Sequence, residues 1–114
     1  MIDFERVWLP QIVSYARLIN TGELEGQWLG RTAMITSVTD PDELHEQVFD
    51  DLDAKNVWTA NRLNSQLSSA AVDAIDEFLS ALLRIEGNNP TVVVGSAAWV
   101  NVKKAAHAAV VTVG

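Results

Sequence analysis

Residues 90–113, Pro-Thr-Val-Val-Val-Gly-Ser-Ala-Ala-Trp-Val-Asn-Val-Lys-Lys-Ala-Ala-His-Ala-Ala-Val-Val-Thr-Val, decide the fold. The run Thr91-Val92-Val93-Val94 has the β-branched composition of a strand. Gly95-Ser96 then offers a turn and an N-cap, and beyond it Trp99, Val102, Ala106, Ala109 and Val113 keep a helical seam. Followed along that seam, 97–112 is a helix whose small residues permit close packing, and the chain is all-α. Followed along the valines, the competitor is an α+β fold with short strands at 91–94, 109–113 and the β-branched stretch 32–38.

The rest of the chain favours the all-α reading. A long helix is expected from about Ser69 to Glu86, where Val72, Ile75, Phe78, Leu79, Leu82 and Leu83 form a wide apolar stripe. Gly87 stands as its C′ residue and Asn88-Asn89-Pro90 as its stop. Near the N-terminus, Phe4, Trp8, Ile12, Tyr15, Ala16 and Ile19 recur at helical spacing behind Asp3 as N-cap. Pro10 should kink that helix or move the start of its main body to about Leu9. Asp40-Pro41-Asp42-Glu43 combines an N-cap, a first-turn proline and a capping-box acid. It opens a helix to about Ala54 with Leu44, Val48, Phe49 and Leu52 on one stripe. Residues 56–68 read as a short helix or a structured connection. In the 21–39 connector, Gly22, Gly26 and Gly30 hold any helix to a turn or two. The expectation is a single domain over 1–114, a compact bundle of about four main helices with an irregular 21–39 connector.

Composition narrows the function. The chain is 48% hydrophobic and 20% charged, as in ordinary globular proteins. It has no cysteine, which removes disulfides, thiolate catalysis and Cys-ligated zinc. The start Met1-Ile2-Asp3-Phe4-Glu5-Arg6 lacks a secretory pattern, and no window reaches the ~18 apolar residues of a membrane span. A cytoplasmic protein that does not engage membranes is expected. Nucleic-acid binding draws on clustered Lys and Arg. Only eight occur, with no cluster larger than Lys103-Lys104, so no nucleic-acid partner is expected.

The net charge of −7 is concentrated in one place. Asp40, Asp42, Glu43, Glu46, Asp50, Asp51 and Asp53 stand in 40–53 without a Lys or Arg, and the remaining eight acids are matched by the eight basic residues. Helix N-termini welcome Asp42, Glu43 and Glu46, but Asp50, Asp51 and Asp53 fall at the end where the macrodipole opposes them. One face carrying Asp42, Glu43, Glu46, Asp50 and Asp53 would dock a basic protein partner, as an immunity- or antitoxin-like inhibitor does. The alternative is a small-molecule binding protein. Trp8, Trp28, Trp58 and Trp99 lie on four separate segments and, with Arg31, have the chemistry to wall a pocket for an apolar or aromatic ligand.

Enzymatic function is the least expected class, and no cofactor is implied. An EF-hand counted from Asp51 needs Gly and Glu where Asn56 and Arg62 stand. Asp42 and His45 make half of a carboxylate–histidine metal pair, but His107 has Lys104 at the matching position. The 97–113 seam, together with the broad apolar surface of 69–86, is expected to support a homodimer.

Overall fold

The computed structural model describes residues 3–33 and 36–113, which form an all-α fold with no strand among them. A π-helical turn, Phe4–Trp8, leads directly into α1 (Leu9–Asn20). Asp3 caps the start, its carboxylate accepting from the Arg6 N–H at 3.1 Å. Pro10 sits in the first turn of α1, as its missing N–H requires, so the change from π to α register falls at the proline.

The π turn also serves the core. An α-helix of about 3.6 residues per turn lets an i, i+4 stripe creep round its axis, and a wider i→i+5 turn takes that creep back. Phe4, Trp8, Ile12 and Ala16 thereby stay on one buried line. The same device recurs in the acidic segment. There α3 (Pro41–His45) continues as a second π-helical segment, Glu46–Asp51, and Leu44, Val48 and Leu52 are all buried. That helix ends at Asp51 rather than Ala54. Asp53 takes the left-handed conformation (φ 47°), and α4 (Ala54–Asn61) starts immediately after it.

The connector holds a six-residue helix, α2 (Glu23–Trp28), entered through Gly22 at φ 80°. The following 31–33 and 36–39 are irregular. They are latched to α2 by Gln27, whose side chain accepts from the Thr36 N–H and hydroxyl and donates to the Thr36 and Val38 carbonyls. Of the strands in the α+β alternative, 32–38 is irregular where described, with Met34 and Ile35 outside the described residues. The other two segments are helical. The valine run forms α6 (Pro90–Val94), because Asn89 caps the Thr91 and Val92 N–H groups and Pro90 presets the first turn.

Helix α5 (Ser69–Leu83) stops short of Glu86: Arg84 and Ile85 turn back on the Ala81 and Leu82 carbonyls, and Gly87 makes its left-handed turn farther on. Ile85 is thereby turned beside Leu82 and the start of α3. Ser96 caps α7 (Ala97–Val113) through the Trp99 N–H at 3.2 Å. Helix α7 packs against both α1 and α5, and these are the two broadest helix–helix contacts. Trp99, Val102, Ala106 and Ala109 are fully buried there. The seam expected to meet a second copy therefore lies inside the chain, because its alanines let three helices approach closely. The 97–113 part of the expected dimer surface is thus taken up within the chain, whereas Leu83 of 69–86 stays exposed.

Candidate functional site

The acidic face begins at a well-made helix start. Asp40 accepts from the Glu43 N–H at 2.8 Å, Pro41 is buried in the first turn, and the Asn88 side chain accepts from the Asp42 N–H at 2.8 Å. The last contact ties the start of α3 to the loop after α5. Asp42, Glu46, Asp50, Asp51 and Asp53 are exposed, and Glu43 is half-buried. Burial of Leu44, Val48 and Leu52 fixes which way the helix faces, so the acids point to solvent because the opposite stripe points to the core.

Few groups offset this charge. Among the described residues the ion pairs join Arg62 to Asp76, Arg84 to Glu77 and Lys103 to Glu25, and none uses an acid of 40–53. Glu43 accepts from Gln47 at 3.0 Å and Asp53 from Asn56 at 3.0 Å, both neutral donors. The crowding registers on Glu46. Its carboxyl titrates above the ordinary value, chiefly because of Glu43, then through partial desolvation, with Asp50, Asp42 and Asp40 adding to the effect. Tyr15 is pushed up as well, first by burial and then by Asp51 and Glu43. Its hydroxyl donates to Gln47 Oε1 at 2.7 Å, while Gln47 Nε2 reaches Ser37 and Glu43. A cleft of about 310 Å³ beside this network is lined by Tyr15, Gln47, Ser37 and Thr36. Tyr15, Gln47 and Thr36 are already engaged with one another, with Glu43 or with Gln27, while exposed Gln11 and Ser14 also line the cleft.

The four tryptophans divide into two groups rather than lining one cavity. Phe4, Trp8 and Trp58 form a triangle of rings, with Trp8 5.2 Å from Phe4 and Trp58 6.0 Å from both. Trp28 meets Trp99 at 5.2 Å. Each indole N–H has a partner on another segment. Trp8 donates to the Leu52 carbonyl at 2.9 Å, Trp28 to the Val38 carbonyl at 2.8 Å, Trp58 to Asp76 at 2.6 Å and Trp99 to Glu25 at 2.5 Å. These residues act as clamps: Trp8 holds the end of the acidic helix to the N-terminal helix, and Trp99 holds α7 to α2. Arg31 is exposed in the turn after α2, its own N–H closing on the Gly26 carbonyl at 2.8 Å. Arg62 joins Trp58 indirectly, by sharing Asp76, whose carboxyl is held below the usual range first by Arg62 and further by the Trp58 N–H.

One surface was foreseen only in part, through the broad apolar surface of 69–86. The exposed His45 ring lies 4.7 Å from that of Phe49, and beside this pair α5 presents Leu83, which is 55% exposed. The helical stripe gave a signal in part, since Leu83 falls off the centre of the α5 stripe. Its position opposite Phe49 depends on tertiary packing.

Protein-family models, curated proteins and solved structures were each compared with the chain, and none matches it.

Proposed function

We propose that this protein is a small interaction module that docks a basic protein partner through the acidic face of 40–53, in the manner of an immunity- or antitoxin-like inhibitor. The observation that carries the reading is the absence of counter-charge. Seven acids crowd one segment, and no ion pair of the described residues offsets them. The like-charge repulsion that raises Glu46 is relieved when a Lys- or Arg-bearing surface arrives. Such a field also steers encounter, raising association rates well above those of neutral surfaces.

The test is affinity capture with the wild-type chain and with a variant carrying Glu46→Lys, Asp50→Lys and Asp53→Asn. All three side chains are exposed, so the fold is retained. Asn is chosen at position 53 because the left-handed backbone there tolerates Asn and strains Lys. A basic protein held by the wild type and released by the variant is the expected result. Equal capture by both would refute the proposal.

A further inference from the structure

Two depressions of mixed lining, joined by the His45–Phe49 ring contact, form a trough beside the row of acids. One end lies between α3 and the turn after α5, a depression of about 80 Å³ lined by Pro41, Asp42, His45, Leu82 and Ile85. The other end, about 140 Å³, lies between the π-helical segment, α4 and α5, where Phe49, Trp58, Leu79 and Leu83 line it beside the polar Thr59, Asp76 and Ser80. Both depressions fall well below the roughly 300 Å³ that holds a drug-sized ligand, but side chains projecting from a helix fit such dimples. Leu83 stands 55% exposed at the trough, and Phe49 and Ile85 are half-buried.

The charge along one bank chooses the occupant. Asp42 lines the first depression, and Glu46 and Asp50 follow at i+4 steps alongside His45 and Phe49. Asp42 and Asp50 both act electrostatically on Glu46, which stands between them in the chain. Exposed Lys55 stands only at the α4 end.

From this juxtaposition we infer that the trough receives an amphipathic helix of the partner. Its apolar stripe rests on Phe49 and Leu83, and its Lys and Arg residues face Asp42, Glu46 and Asp50. This is the helix-in-groove mode of recognition, in which anchors at i, i+3, i+4 and i+7 supply the contact. The inference rests on the docking reading above and specifies the part of the partner that makes contact.

Two synthetic Leu/Lys peptides of about 18 residues, or some five helical turns, test it. In one, the leucines form a single helical stripe; in the other, the same residues are scrambled. Affinity is read by titration, with peptide circular dichroism and tryptophan emission, to which Trp58 in the trough contributes, as independent signals. The striped peptide should bind the wild-type chain at least about tenfold more tightly than the scrambled one and become helical on binding. Leu83→Glu should remove that advantage, its added charge acting on both peptides alike, whereas Glu46→Lys should weaken both. Leu83→Ala provides a milder variant, and thermal melting verifies that each variant is folded.

Equal affinity of the two peptides for the wild type would overturn the trough while leaving charge-driven docking in place. So would a striped peptide that keeps its advantage over the scrambled one on Leu83→Glu. Binding of neither peptide would overturn both readings. A dimer of the protein alone that dissociates on Leu83→Glu would assign the trough to a second copy, and would also overturn the inference.

Discussion

Replacing Asp76 with Ala removes the one group that holds α4 to α5 by hydrogen bonds from two side chains. Trp58, 5% exposed, loses the acceptor for its indole N–H, and Arg62 loses its paired carboxylate. An unpaired buried donor costs about 1–3 kcal/mol. The ion pair is a third exposed on both sides, so it contributes only about 0–1 kcal/mol. Ala gains back about 0.5 kcal/mol of helix propensity. The expected loss is therefore about 2 kcal/mol, or roughly 10 °C in melting temperature for a chain of this size.

Urea unfolding followed by tryptophan emission measures it. The control is Trp58→Phe, which keeps a ring against Trp8 but has no N–H to strand. In that background Asp76→Ala should cost no more than about 1 kcal/mol, the ion pair alone. Acid provides a second arm. The folded Asp76 carboxyl titrates below its unfolded value, so its stabilisation is complete above the unfolded value and disappears as pH falls through the folded one. The gap between wild type and variant should narrow there by the part that depends on charge, while the neutral carboxyl still accepts from Trp58. An equal cost with and without the Trp58 N–H would refute the clamp.

Glu46 predicts the opposite sign. Its folded carboxyl titrates above the unfolded value, so ionisation opposes folding; Glu46→Gln should raise the melting temperature at neutral pH and lose its advantage as the solution is acidified through that titration. Ala106→Leu should destabilise by about 1–3 kcal/mol through overpacking where α7 meets its neighbours, and urea midpoints should show this independently of protein concentration. Gln27→Ala should cost about 1–3 kcal/mol. Amide exchange should then rise at Thr36, whose N–H it holds, while α7 stays protected.

The helices were legible because local signals agreed with packing. Asp3, Asp40 and Ser96 cap where their types indicate, and the buried stripes of α1, α5 and α7 follow their periodicity. The valine run misled in part because β-branching is only a composition, whereas Asn89-Pro90 beside it carries a helix start with a mechanism. The six-residue α2 was less visible, since it depends on the Gln27 and Trp28 bonds to residues 36 and 38 and on Trp99 contacting it from the far end of the chain.

The acidic face itself was readable, as seven acids in fourteen positions leave little choice of side once Leu44, Val48 and Leu52 are buried. How the tryptophans group was not readable, because indoles 50 or 71 positions apart stack only after the chain has folded. The trough beside the acids has the same origin. Phe49 and Leu83 belong to different helices, and only tertiary packing makes them neighbours.

The most direct measurement is the association rate of the captured, purified partner with the wild-type chain and with the Glu46→Lys/Asp50→Lys/Asp53→Asn variant, across a series of salt concentrations. Docking through the acidic face predicts fast association that falls steeply with salt for the wild type, and slow, salt-insensitive association for the variant. The same rate and the same salt dependence in both proteins would contradict the account.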